Sequence, residues 1–446
     1  MGGKALYLIP FQDKFLIYRP LRGLLFLGNR AMADCAERWC EGSDREAFAD
    51  EPEVLDFFDS VGFTSPDPPE PPEPDLKQFL PTGAALLMSN RCNLRCIYCY
   101  ANGGETNNLD LDPAVAKIVI DTVCENAQKL GMDRFSVTFH GGGEPTLHRD
   151  AMRELAEYAR AKPLRASLHI VTNGFWDEAY GKWLMEWIDD MTISMDGAAE
   201  TQNAQRPLPG GRPSFDRVMR SVDQLTKAGY PFSIRMTVTP DRFSLLPENV
   251  RFLCENTGCG QIQAEPAFYE IRGAHGTAYR EQGQRFAEAF LEAWDIAAAH
   301  GRLLYYSGAR PEGVTSSFCS APLGGSLTVN PLGQVTGCYE TTGRDGQCGG
   351  VFGHADAAGL FIDEESRFAQ MNEILHRRDK CTDCFCYYHC AGDCFTRGLP
   401  AEGGEWPYNR CEINRKITLE LLLRRLSMGG GGRIMSGRQC YRRGVI

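Results

Sequence analysis

The sequence predicts an α/β protein: a partial (β/α)6, TIM-like barrel, preceded by a small α+β, winged-helix-like unit and followed by a cysteine-rich domain. Three observations carry this. Six apolar runs alternate with helical stretches from residue 84 onward, a proline- and acid-rich spacer precedes them, and past residue 305 glycine and cysteine replace regular patterning. The expected boundaries are 1–64, 65–83, 84–305, 306–425 and 426–446.

Taken in order, the N-terminal piece has three apolar runs, "LYLI", "KFLIY" and "LLFLG", then helix-like segments around "AMADCAERWC" and "EVLDFFDSVGF". Short strands followed by helices make a small α+β or winged-helix unit. "SPDPPEPPEPDLKQFLPTG" (65–83) is a stiff, extended linker. The runs "AALLMS", "FSVTFHGG", "LHIVTNG", "MTISMDG", "FSIRMTVT" and "IQAEPAF" read as buried strands, many closed by Gly or a polar turn. Between the first two, "PAVAKIVIDTVCENAQKL" sets Val115, Ile118, Val119, Thr122 and Val123 on one helical face. Six strand–helix units mean a parallel sheet curled into a partial or full barrel, with ligands at the carboxyl ends of its strands. Ser89 to Cys99, "HGGGEPT", "TNG" and "SMDG" fall at those ends. From about residue 310 a large apolar core is not expected, and metal sites should organise the chain. "GGGG" at 429–432 marks a flexible tail, in which Cys440 has no assignable role.

A net charge of −11 over 446 residues argues against a nucleic-acid surface. Asp13 and Lys14 interrupt the N-terminus too early for a signal-peptide core. No apolar run nears the roughly 20 residues that span a bilayer, so a cytoplasmic protein without a membrane or nucleic-acid partner is expected. Eighteen cysteines in a reducing compartment are then ligands, catalytic groups or buried thiols.

"MSNRCNLRCIYCYANGG" spaces Cys92, Cys96 and Cys99 as C-x3-C-x2-C, with no fourth thiol or histidine beside them. Structural zinc wants four closed ligands. A four-iron cubane on three thiolates keeps one iron open to a non-protein ligand. With Tyr98, the pattern resembles the signature of the radical S-adenosylmethionine (radical SAM) superfamily. The resemblance implies a [4Fe–4S] cluster whose open iron takes the amino and carboxylate groups of S-adenosylmethionine. Reduction then yields a 5′-deoxyadenosyl radical that abstracts a substrate hydrogen. It also implies cofactor contacts at Tyr98, at Gly142, Gly143 and Glu144 for the methionine ammonium, and at Asn173, Ser194 and Arg206 for ribose or carboxylate. The last three could equally be strand-end caps.

Downstream, Cys319, Gly333 and Cys338 run C-x13-G-x4-C, then Cys381, Cys384, Cys390 and Cys394 run C-x2-C-x5-C-x3-C, and Cys411 closes the series. This order resembles the SPASM extension of radical SAM enzymes that modify peptides and proteins. It implies two auxiliary [4Fe–4S] clusters, three in all: an outer one on Cys381, Cys384, Cys390 and Cys411, and an inner one on Cys319, Cys338 and Cys394. Relatives often place an eighth cysteine just before the first, where this chain has "PEGVTSSF". Cys348 is the best substitute and Cys386 a poorer one; otherwise the inner cluster keeps an open iron. Cys124, Cys254, Cys259, Cys35 and Cys40 read as packed or incidental thiols, and His140 as a hydrogen-bonded structural residue.

The resemblance implies a maturase that takes a ribosomal precursor peptide and installs a crosslink or other oxidative modification. The N-terminal unit would grip a leader segment by strand addition, and a flavodoxin or ferredoxin would supply single electrons. An anaerobic sulfatase-maturating, formylglycine-forming enzyme is the alternative, although the acid expected right after the second auxiliary cysteine is Tyr339 here, with Glu340 one place later. A non-catalytic iron–sulfur scaffold would explain the thiols but not the open triad beside "GGGEP". No catalytic acid or base can be named from the sequence.

Overall fold

The computed structural model describes residues 2–105, 108–267, 282–341, 350–396 and 410–428. Strands β1 (Tyr7–Phe11), β2 (Lys14–Arg19) and β3 (Leu24–Gly28) form an antiparallel meander, followed by helices α1 (Arg30–Cys40) and α2 (Pro52–Val61). Side chains alternate between the two faces of this sheet. Ile17, Leu24 and Phe26 pack on Ala33, Ala36 and Phe58 of the helices, whereas Leu16, Tyr18 and Leu25 turn the other way, onto Leu422. The unit is thus a small α+β layer with both faces covered.

The expected parallel strands are all present: β4 (Gly83–Leu87), α3 (Pro113–Lys129), β5 (Arg134–His140), α4 (Arg149–Arg160), β6 (Arg165–Thr172), α5 (Glu178–Trp187), β7 (Asp190–Ser194), α6 (Ala199–Gln205), α7 (Phe215–Lys227), β8 (Phe232–Val238), α8 (Leu246–Asn256) and β9 (Gln261–Pro266). After α9 (Gly283–Ala299), β10 (Leu303–Tyr305) adds a seventh parallel strand. The partial-barrel reading holds. The buried face of α3 is rotated from the expected one: Ala116, Val119, Ile120, Val123, Cys124 and Ala127 face inward, while Val115, Ile118 and Thr122 are half-buried. Small residues let the helix lie close on the sheet, so Ala and Cys outrank the bulkier Val115 and Ile118 at the contact.

Beyond Tyr305 the sequence expectation fails in one respect. β11 (Ser326–Val329) pairs in parallel with β4, and β12 (Gln334–Thr336), β13 (Val351–Asp356) and β14 (Gly359–Ile362) extend the same sheet antiparallel to eleven strands. With α10 (Glu364–Leu375), α11 (Tyr387–Cys390) and α12 (Arg410–Met428), this region shares the barrel's core. Leu327, Val329, Val335, Phe352, Met371, Leu375, Ile413 and Ile417 belong to the same buried cluster as Leu86 and Phe139. The region borrows an apolar core through the β4 edge, which its own short strands do not reveal. Residues 429–446, with the expected tail and Cys440, lie outside the described residues.

The spacer is strapped down, not loose. Ser316 donates to the Pro72 carbonyl (2.7 Å), Arg378 pairs with Glu73 (2.5 Å), Tyr388 donates to Glu70 (2.9 Å), and Arg367 donates to the Leu76 carbonyl (3.1 Å). Among the described residues no helix is long and apolar enough to cross a membrane.

Candidate active site

The segment after β4 crosses the carboxyl ends of the sheet and is pinned from both sides. Asn90 N–H donates to the Leu109 carbonyl (2.9 Å), Arg95 N–H to Pro207 (2.7 Å) and Ile97 N–H to Gln205 (2.9 Å). The Arg95 guanidinium closes the loop on itself, donating to the carbonyls of Cys92 (2.8 Å), Leu94 (2.9 Å) and Gly104 (2.8 Å). The result places Cys92, Cys96 and Cys99 in the lining of one cavity, together with Gly142, Gly143, Glu144, Asn173, Ser194, Arg206, Arg235, Tyr339 and Glu340. Every cofactor-contact residue expected from the sequence lines this cavity, Tyr98 included.

Several do more than was expected. A Cβ at Gly143 would lie 2.0 Å from the Arg91 carbonyl oxygen, so this glycine is required by the cysteine loop's own backbone. The Glu144 carboxylate accepts from Thr146 N–H (3.1 Å), Thr146 Oγ1 (2.7 Å) and Thr172 Oγ1 (2.6 Å) on Oε1, and from Asn173 N–H (2.7 Å) on Oε2. Burial raises its pKa against these hydrogen bonds. Oε1 is saturated; Oε2 keeps a lone pair that an ammonium could use. Asn173 donates to Asn93 Oδ1 (2.7 Å) and also caps Phe175 N–H (3.1 Å), which is the strand-end role its sequence position offered. Among the described residues the Ser194 hydroxyl has no protein partner.

Asp196, Asn93 and Arg95 were missed by sequence reasoning. Asp196 is 1% exposed and gathers Tyr98 Oη, Gln205 Nε2 (2.7 Å), Thr237 N–H (2.9 Å) and Arg206 Nε (3.0 Å). Arg206 also stacks over the Tyr98 ring and reaches Cys96 Sγ (3.8 Å). The signal was present in "SMDG", but a carboxylate after a strand has many possible roles.

Three further aromatic rings line the same cavity. His140 stacks on Tyr339 (centroids 4.4 Å apart), Tyr100 lies 6.0 Å from the same ring, and Arg235 donates to Tyr339 Oη (3.3 Å). Glu340 accepts from Thr396 (3.1 Å), whose hydroxyl also contacts Cys394 Sγ (3.1 Å). His140 takes the Gly141 N–H on Nδ1 (2.9 Å), the structural role expected. Burial pushes its imidazole down to about 4 from 6.5. The unfolded chain therefore binds a proton near pH 6.5 that the folded chain refuses until about pH 4, and stability falls as pH drops through that window. Between pH 7 and pH 5 the loss should be roughly 2 kcal/mol. Thermal unfolding at the two pH values should show a smaller drop for His140→Asn than for the wild type.

The other thiols sort into two sets. Cys319, Cys338 and Cys394 perturb one another, and burial with that mutual repulsion pushes Cys319 up to about 11 and Cys338 well above its usual range. Cys381, Cys384, Cys390 and Cys411 form the second, with Asn414 donating to Cys390 Sγ (3.3 Å). Cys386 is fully buried against this second set, donating to Cys384 and lowering that thiol to about 6. It is not available to the inner set. Cys348 lies outside the described residues. Cys92 is pushed up to about 12 by burial and by Cys96 and Glu144.

Among the described residues no three His, Cys, Asp or Glu side chains converge as a single-ion site. Cubane thiolates occupy separate corners and need wider spacing. Soft donors whose protonated forms are favoured by crowding and burial fit an iron–sulfur cation, which would stabilise the thiolates. Cys124, Cys254, Cys259 and Cys35 are buried packing thiols, and Cys40 is half-buried.

Residues 86–243 match the family model described as the radical SAM superfamily. The chain carries a radical SAM domain. A domain of this family implies a [4Fe–4S] cluster and S-adenosylmethionine. The uncharacterised protein MJ0907 of Methanocaldococcus jannaschii is 32% identical over 171 residues, covering 38% of this chain and 57% of the relative. Fe-coproporphyrin III synthase of Methanosarcina barkeri is 31% identical over 163 residues, 36% of this chain and 38% of that protein. The chain thus spans less than two thirds of either. Mycofactocin maturase MftC of Mycolicibacterium smegmatis is 27% identical over 329 residues, covering 70% of this chain and 78% of its own. In fold, native anSMEcpe with bound AdoMet and Kp18Cys peptide superposes with a TM-score of 0.62 at 19% identity, over 78% of this chain and 100% of that one.

Proposed function

We propose that this chain is a radical SAM/SPASM peptide maturase: it abstracts a hydrogen from a ribosomal precursor peptide and leaves a crosslink or other oxidative modification. The observation that carries the reading is a single cavity lined both by Cys92, Cys96 and Cys99 and by Tyr339 and Glu340, which follow Cys338 directly. A substrate group seated there lies between two thiol sets. The long alignment with a maturase supports a peptide substrate.

In this reading Cys92, Cys96 and Cys99 hold the first cluster, Cys319, Cys338 and Cys394 the inner one, with Cys348 as its candidate fourth ligand, and Cys381, Cys384, Cys390 and Cys411 the outer one. When bound, cluster and nucleotide supply the hydrogen-abstracting radical. The chain's own groups orient and shield. Glu144 Oε2 with Gly142 and Gly143 receives the nucleotide's ammonium, Ser194 and Arg206 its carboxylate, and Asn173 and Tyr98 its remaining faces. His140, Tyr100 and Tyr339 exclude water from the reacting carbon.

A leader would add to the free edge of β3 rather than β1, where Pro10 leaves the edge short of a donor. That sheet rests on the outer thiol loop: Tyr7 Oη donates to the Thr382 carbonyl (3.0 Å), Lys4 pairs with Asp383 (2.8 Å) and Tyr18 bonds His389. Formylglycine formation remains the second reading because Glu340 lines the cavity. Anoxically reconstituted protein, dithionite, S-adenosylmethionine and the short peptide encoded beside the gene give the test, read by tandem mass spectrometry. Loss of two hydrogens with an internal crosslink is the expected result. A Cys- or Ser-derived aldehyde would favour the second reading, and an unaltered peptide despite 5′-deoxyadenosine release would count against both.

A further inference from the structure

Helices α5 and α7 pack side by side on the outside of the barrel. At Gly181 a Cβ would lie 2.1 Å from Gln224 Oε1 and 2.6 Å from Trp176 Nε1, so the helices close tightly at that level. Beside this contact a groove of about 960 Å³ opens, floored by Phe175 and Trp176. Five cations and three carboxylates line it, on a chain whose net charge is −11. Arg149 pairs with Asp177, and Lys182 with Glu178 (2.8 Å). Among the described residues no carboxylate lies within 4.0 Å of Arg217, Arg220 or Lys227, and Arg217 sits over the Phe175 ring (5.1 Å). The Ser221 hydroxyl lines the groove, 2% exposed and without a hydrogen-bond partner. The groove's electropositive rim is a local reversal of the molecule's sign.

The floor is also wired to the first thiol loop. Phe175 N–H donates to Asn173 Oδ1 (3.1 Å), Asn173 Nδ2 donates to Asn93 Oδ1 (2.7 Å), and Asn93 follows Cys92 in the chain. Two hydrogen bonds and short covalent stretches separate the groove from a cluster ligand.

We propose that this groove docks an acidic one-electron carrier protein, which reduces the cluster held by Cys92, Cys96 and Cys99. The proposal rests on the radical SAM reading of the site. One electron leaves the carrier's reduced centre and enters the cluster; the carrier is oxidised by one equivalent, and no bond or proton moves. Arg217, Arg220 and Lys227 steer the carrier by charge, a contribution that acts on encounter rate and fades with salt. The aromatic floor gives the contact its apolar centre.

The test uses reconstituted full-length protein and reads 5′-deoxyadenosine formation driven three ways: by dithionite, by a bacterial flavodoxin with its NADPH-dependent reductase, and by a plant-type [2Fe–2S] ferredoxin. Arg217→Glu/Arg220→Glu/Lys227→Glu should lower the rate with at least one carrier by about tenfold at low salt, with the dithionite-driven rate within twofold of wild type. The Gln triple variant should fall between. Added salt should depress the wild type's carrier-driven rate and leave the Glu variant's nearly flat. Carrier-driven rates equal in wild type and Glu variant overturn the proposal, as does a wild type that turns over with dithionite and accepts neither carrier. So does a variant whose carrier-driven rate is intact but whose peptide modification is lost, which would make the groove a peptide site. Absence of 5′-deoxyadenosine with dithionite in the wild type marks failure of the underlying radical SAM reading instead.

Discussion

Replacing Cys96 with alanine should end reductive cleavage of S-adenosylmethionine, with 5′-deoxyadenosine release falling about a hundredfold or more. Outer-shell partners of a metal site already cost 10–100-fold when removed, and Cys96 is the central member of the open triad. Its loss leaves Cys92 and Cys99 as a pair in a loop that offers no replacement. Among the described residues the cavity lining holds no fourth thiol, and its one histidine, His140, is engaged by the Gly141 N–H. The Arg206 guanidinium, 3.8 Å from Cys96 Sγ, would also lose the anionic sulfur it faces. Iron per monomer should drop by about four, one cubane's worth, while the auxiliary spectrum persists. Release within tenfold of wild type, or loss of all iron together, would show that the triad does not hold a separate, reactive cluster.

How much of this was visible beforehand depends on range. The six barrel strands announce themselves because each is a short apolar run closed by a turn, a local pattern. The thiols were legible for the same reason: ligand spacing is short-range and few chemistries use it. β10 and β11–β14 were not, because strands of three or four residues, as all but β13 are, become strands only by pairing with an existing edge, and nothing within "SLTV" or "QVT" says that β4 has one free. The α3 face was misjudged by hydropathy because closeness of approach, not apolarity, decides which residues meet a sheet. Within the site, Cys92, Cys96, Cys99 and Glu144 were found by motif, yet Gly143 turned out to be fixed by the cysteine loop's backbone rather than by ligand space alone. Asn93 and Arg95 sit inside the quoted motif and were passed over, since their partners, Asn173 and three carbonyls, converge only once the loop has folded.

Asp196 illustrates the hidden part most strongly, and its removal should cost more stability than any other single change at the site. Its carboxylate is the counter-charge of Arg206, which is 7% exposed, and it also ends the hydrogen bonds of Tyr98, Gln205 and Thr237. Asp196→Ala strands a buried guanidinium, a loss of about 3–5 kcal/mol for breaking one side of a buried pair, set against the 5–15 kcal/mol that holds a typical domain. The apparent melting temperature should fall by roughly 3–5 °C. Asp196→Asn, which keeps an acceptor but not the charge, should fall part of the way. The decisive comparison is the double variant Asp196→Ala/Arg206→Met. If the cost comes from the orphaned cation, removing it recovers stability, and the double variant melts above Asp196→Ala even though it carries one more substitution. If the double variant melts lower still, the two residues act independently and the hub is only a set of hydrogen bonds. Tyr98 gives a second readout. Released from Asp196, it should let the Cys96–Cys99 stretch drift, so 5′-deoxyadenosine formed per loaded cluster falls in Asp196→Ala and is not restored with stability in the double variant, which still lacks both the anchor and the arginine proposed to meet the carboxylate.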